Sequence, residues 1–138
     1  MRLWRAEAQV LGCLLEIVVA PTGELPPPRE TDAAAAFERI LARLPALNRA
    51  GLRGLLWTLE LGPLLRRPHR RLTRLTGAQC AAYVGRFERG PVGRPAEGLV
   101  ALVKLAYYGD AGVMASLGYD PQGVVARGRA LRAAEGRW

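Results

Sequence analysis

Few residues of this chain are of a type that does chemistry. Among 138 residues there are one histidine (His69), one serine (Ser116) and two cysteines (Cys13 and Cys80). Nucleophilic catalysis needs an activated nucleophile beside a base held by a third group, and a structural zinc needs four ligands. This inventory supplies neither pattern, and two cysteines build no disulfide framework. His69 lies between Pro68 and Arg70, in a basic stretch. It reads as an ordinary loop histidine. Cys13 and Cys80 fall on or beside apolar helix faces and read as small core residues. The twelve carboxylates are scattered among arginines; Glu38, Glu60, Glu88 and Glu97 lie on helices, and none forms a paired acid–base site. The sixteen glycines build neither G-x-G-x-x-G after a strand nor a phosphate-binding P-loop. The expectation is a chain with no catalytic, cofactor-binding or metal-ligating residues of its own.

Two features remain. The formal charge is +8, carried by nineteen arginines and Lys104 alone. With abundant Ala, Gly, Leu and Pro, that imbalance reads first as the composition of a GC-rich genome. The charge concentrates, however, in Arg66, Arg67, Arg70, Arg71 and Arg74. Guanidinium forks suit phosphates and a partner's carboxylates equally. No aromatics are interleaved with them, so a base-stacking platform is not indicated. The second feature is Tyr107-Tyr108-Gly109-Asp110, followed by Leu117-Gly118-Tyr119-Asp120-Pro121. Tyrosines beside helix breaks either anchor a partner, through large apolar area and a polar tip, or pin the last helices to the core.

Helical spacing positions all of these residues. From Ala6 to Val19, the residues Val10, Leu11, Leu14, Leu15 and Val18 recur at three- and four-residue steps. Residues 22–31, with Pro26-Pro27-Pro28, predict a stiff extended linker. Thr31 or Asp32 caps a second helix that buries Phe37, Ile40, Leu41 and Leu44. Pro45 opens a third, with the stripe Leu47, Leu52, Leu55, Leu56 and Leu59, ended by Gly62-Pro63. Leu64 to Leu75 is an Arg-dense loop with room for one helical turn. Thr76 and Gln79 form a capping box for a helix to about Arg89. Gly90 to Pro95 breaks the chain again. A helix from Ala96 to Tyr108 points Leu99, Leu102, Val103 and Ala106 inward, and Asp110 caps a short one, Ala111 to Leu117. Residues 122–138 read as a mobile, Arg- and Ala-rich tail. Nothing alternates at period two. The predicted fold is a single all-α domain over residues 1–138, a bundle of about six helices with Pro- and Gly-rich connections. Arg2 and Arg5 precede an apolar stretch, but Glu16 interrupts it and no twin arginine is present. No membrane span is expected, and the expected location is the cytoplasm.

The order of these elements, with Ala106-Tyr107-Tyr108-Gly109-Asp110 and Leu117-Gly118-Tyr119, resembles the small (gamma, or subunit 3) chain of gluconate 2-dehydrogenase-like, FAD-dependent oxidoreductases of bacteria. The resemblance spans roughly Ala6 to Pro121. It implies a chain without flavin that pairs with a large catalytic subunit of the glucose–methanol–choline (GMC) type, which carries FAD and oxidises an alcohol or sugar. The small chain serves the folding, stability or export of that partner. Many members carry a twin-arginine signal; Met1-Arg2-Leu3-Trp4-Arg5 does not, so export is expected only on a partner's signal. The expected role is a non-catalytic accessory subunit. Its interface candidates are Tyr107, Tyr108, Leu117, Gly118 and Tyr119, with Arg66, Arg67, Arg70 and Arg71 as a polar rim. The rival expectation is a small Arg-rich nucleic-acid-binding protein, whose affinity would fall steeply with salt.

Overall fold

Leucine and valine at helical spacing need a common surface to cover them, and two helices supply its centre. The computed structural model describes residues 3–19, 24–65 and 69–136. These form seven α-helices and, among the described residues, no strand: α1 (Arg5–Val19), α2 (Ala33–Arg43), α3 (Ala46–Leu61), α4 (Gly77–Glu88), α5 (Gly93–Tyr108), α6 (Ala111–Ser116) and α7 (Pro121–Ala134). Helix α1 packs against α5, α3 and α4, while α2 lies along α5. The core joins Val10, Leu11, Leu14 and Leu15 of α1 to Leu99, Val103 and Ala106 of α5. Phe37 and Leu41 of α2, Leu56 and Leu59 of α3, and Val84 of α4 close it. Each fully buried leucine or phenylalanine contributes roughly 1.5–3 kcal/mol relative to exposure. The all-α domain is as the sequence indicates.

Local signals account for most helix ends. Thr76 Oγ1 accepts from the Gln79 N–H at 3.4 Å, and Gln79 Oε1 accepts from the Thr76 N–H at 3.2 Å. This is the expected capping box on α4. Helix α5 begins at Gly93, earlier than the expected Ala96, with Pro95 in its first turn, where no backbone hydrogen bond is lost. Gly93 is required there because a Cβ would collide with the Glu88 carbonyl.

Three expectations need correction. Leu47 is 83% exposed and is not part of the α3 stripe. It precedes Leu56 by nine residues, which at about 100° per residue puts it on the opposite side of the helix. Pro26 to Pro28 are not extended throughout, as a stiff extended linker would be. Pro27 is extended (φ −62°, ψ 145°), but Pro28 is buried and opens a 3₁₀ turn, Pro28–Glu30, against α1. Residues 22 and 23 of that linker lie outside the described residues. The segment read as a mobile tail is helical from Pro121 to Ala134. Asp120 accepts from the Gln122 N–H at 3.1 Å and Pro121 occupies the first turn, a helix-start pair. None of the residues of α7 is buried.

Candidate interaction surfaces

Adjacent helical residues point about 100° apart, and this separates the two tyrosines at the end of α5. Tyr107 is completely buried, and its hydroxyl donates to the Pro26 carbonyl at 2.7 Å. Burial pushes its phenol pKa up, helped by Tyr108 and Asp110. Tyr107 therefore pins the proline strap to the core and has no surface to offer a partner, contrary to its place among the interface candidates. Tyr108 packs edge-on against it, with centroids 5.1 Å apart, and remains 40% exposed. Leu117 and Tyr119 are 55% and 52% exposed. Gly118 sits between them at φ +71°. Its N–H donates to the Ala115 carbonyl, and the Tyr119 N–H donates to that of Met114, both at 2.9 Å. These are the two hydrogen bonds of a Schellman motif, so Gly118 supplies the left-handed residue that ends α6.

Asp110 connects this end of the molecule to α2. Its Oδ1 accepts from the N–H groups of Gly112 (2.8 Å) and Val113 (3.2 Å), the expected cap of α6. Its Oδ2 accepts from the Asp32 N–H at 2.9 Å. Asp32 itself stands at the N-terminus of α2 without capping it, its carboxylate turned to Arg39. The bond from Asp32, then those from Val113 and Gly112, hold the Asp110 pKa below its ordinary value, against the opposing effect of burial.

Exposed apolar area extends beyond the tyrosines. Val124, Val125 and Leu131 of α7 are exposed. Separately, α3 and α5 flank an open groove of about 660 Å³ lined by Leu44, Leu52, Leu55, Pro95 and Leu102. Gly51 and Gly98 also line it, and a Cβ at either position would meet nothing within 4 Å. The pairing of Gly51 with Gly98 becomes visible once α3 and α5 are known to be neighbours.

The arginine loop is more ordered than its composition suggests. Arg66 and Arg67 lie outside the described residues. Beyond them the chain makes a 3₁₀ turn, Leu72–Arg74, with Leu72 completely buried. Thr73 donates from its N–H (3.2 Å) and its hydroxyl (2.9 Å) to the buried carboxylate of Glu60. Arg70, Arg71 and Arg74 are exposed, and with Leu64 and His69 they line an open basin of about 600 Å³. His69 has φ +55°, and its Nδ1 lies 2.9 Å from the Leu64 carbonyl. A carbonyl only accepts, so Nδ1 carries the proton.

The remaining reactive types are engaged structurally. Burial, then the neighbouring Cys13 and Glu60, push the Cys80 thiol up to about 11. The Cys13 thiol is raised by burial first, then by Glu16 and Glu60. Both stay protonated at neutral pH and are poor nucleophiles. The Ser116 hydroxyl donates to the Gly112 carbonyl at 2.9 Å. Glu7, unmarked in the sequence, is buried on α1 and accepts a fork from Arg53, Nε at 2.8 Å and Nη2 at 3.0 Å. It also accepts from the Trp4 N–H at 2.9 Å. The Arg53 guanidinium lies 4.6 Å from the Trp4 ring centroid, and Trp4 meets Trp57 edge-on at 6.3 Å. This network ties the start of α1 to α3. Among the described residues no three His, Cys, Asp or Glu side chains cluster as a metal site, and no helix is long and apolar enough to cross a membrane. The chain matches no protein-family model, no curated protein and no solved structure.

Proposed function

We propose that this chain is a non-catalytic accessory subunit that binds and stabilises a large FAD-dependent oxidoreductase of the GMC type. The observation that supports it is the C-terminal arm: a fourteen-residue helix with no buried residue, displaying Val124, Val125 and Leu131. Tyr108, Leu117 and Tyr119 lie exposed just before it. Solitary exposed apolar residues are ordinary, but an apolar series along a helix with no buried residue is typical of interaction surfaces. The class of partner rests on the resemblance carried by Ala106 to Asp110 and Leu117 to Tyr119. FAD would belong to that partner.

The proposed mechanism is mass action. A chain that binds only the folded partner stabilises it by RT ln(1 + [L]/Kd), about 2.7 kcal/mol at a hundredfold excess over Kd. Tyr108, Leu117 and Tyr119 would be the anchors, while Arg70 and Arg71 would act on orientation and association rate more than on affinity. Tyr107 acts within the fold, holding the strap beneath Tyr108. The test is the double substitution Tyr108→Ala with Tyr119→Ala. It should lose the flavoprotein in co-purification while retaining native helicity by circular dichroism. Undiminished co-purification would rule out this face.

A further inference from the structure

We propose that the basin bounded by Arg70, Arg71, Arg74, His69 and Leu64 is a binding site for a short chain of linked phosphate groups. The argument starts from how the arginines are held. An arginine-rich loop on a surface is ordinarily a set of independent, solvated side chains. Here the backbone that carries them is anchored twice from below. Leu72 is buried in the core, and Thr73 places two hydrogen bonds on the buried carboxylate of Glu60. The turn closes on itself through the Arg74 N–H to the Arg71 carbonyl (2.9 Å) and the Leu75 N–H to that of Leu72 (3.0 Å). With residues 72 and 73 committed inward, Arg70, Arg71 and Arg74 are left on the outer side around one hollow.

The residue before Arg70 is also held. His69 adopts the left-handed region, rare for a residue with a Cβ, and its ring is fastened to the Leu64 carbonyl. Such backbone conformations persist where their surroundings over-determine them, and they concentrate at ligand sites.

The charges are unmatched. Among the described residues the ion pairs are Arg39 with Asp32 and Arg53 with Glu7, and none of the three basin arginines has a carboxylate within 4 Å. Three guanidinium groups facing one basin repel one another until an anion enters. Each fork binds two oxygens of an anion. A single carboxylate saturates one fork and neutralises one charge. Three forks around a basin of about 600 Å³ fit an anion with many oxygens and several charges, which linked phosphates provide. Among the described residues no aromatic side chain lines the basin, so these residues do not form a stacking platform for a nucleobase. The phosphate chain itself is the recognised group, whether it comes from inorganic polyphosphate or from a nucleoside triphosphate.

The experiment is calorimetric titration of the full chain with inorganic tripolyphosphate at low salt, alongside two triple variants. R70A/R71A/R74A empties the basin; R127A/R129A/R132A removes the same charge from α7, each lowering the formal charge from +8 to +5. Saturable one-to-one binding is expected, weakened at least about tenfold by the first variant and less than about twofold by the second. A third variant, R70K/R71K/R74K, preserves charge but not the forks and should bind several-fold more weakly than the native chain. Circular dichroism verifies the fold of each. ATP binding equal to tripolyphosphate points to a free phosphate chain as the source, and tighter ATP binding to a nucleotide. Equal weakening by the two alanine variants overturns the site, as does the absence of saturable binding. Binding of a single-stranded oligonucleotide without tripolyphosphate overturns it too, since that is a diffuse nucleic-acid track.

Discussion

Helices α1 and α7 are nearly equal in length, fifteen and fourteen residues, yet they are built by different means. Six residues of α1 are buried, and its one buried charge is met by a fork from Arg53 and an N–H from Trp4. Helix α7 buries nothing and starts on an aspartate cap followed by proline. An isolated helix of this length is marginal in water, because nucleation is costly and propagation returns little per residue. Packing thus holds the first region, whereas the second has no buried residue and relies far more on its local start signal. A helix that buries none of its residues leaves Val124, Val125 and Leu131 exposed, the surface that the proposed function uses.

That contrast can be broken most decisively at the core end. Arg53→Ala leaves the Glu7 carboxylate buried without its cation, and should cost about 3–5 kcal/mol, read as a lowered urea midpoint. Full stability in that variant would mean that α1 is not held as described. Next in size is the strap. Tyr107→Phe removes the donor to the Pro26 carbonyl and should cost about 1 kcal/mol. Tyr108→Phe, its exposed neighbour, should change the melting temperature little.

Asp110 sharpens the comparison at the junction of the two regions. Its folded-state pKa is lowered, chiefly by the Asp32 N–H. The carboxylate therefore contributes stability that is fully present above its unfolded value of 3.8 and is lost as pH falls through its lower folded value. Urea midpoints between pH 2 and 6 should show that acid-side loss in the native chain and a smaller one in Asp110→Asn. Gly118→Ala, which forces a Cβ into the left-handed region, should cost about 1 kcal/mol. The smallest effect belongs to the arm: Leu131→Ala should stay within about 0.5 kcal/mol of the native chain. Amide exchange should be slow in α1 and α5 and fast in α7. A large loss at Leu131 would mean that α7 packs on the body after all.

The legible parts of the sequence were those fixed by neighbours in the chain. The stripe Val10, Leu11, Leu14 and Leu15, the capping box of Thr76 and Gln79, and the cap from Asp110 each need only spacing and side-chain type. The hidden parts depend on contacts between distant segments. Tyr107 follows Val103 by four residues and shares its inward face, but the partner of its hydroxyl, the Pro26 carbonyl, lies 81 residues away and is hidden. Glu7 resembles any helical glutamate until Arg53 arrives from α3. The groove exists only because α3 and α5 are neighbours. The anchoring of the arginine loop was hidden because Glu60 and Thr73 are thirteen residues apart and neither is conspicuous. Helix α7 was missed for the opposite reason: its start signal is local and present in Asp120-Pro121, but the segment lacks the strong apolar stripe by which helices are recognised.

The central claim is that the chain exists to hold a flavoprotein. The most direct measurement is a pull-down of the tagged full chain from its native host, read by mass spectrometry and by the visible absorption of the eluate. The expected result is a yellow complex with a large flavoprotein near one-to-one. A colourless eluate without that subunit would contradict the account.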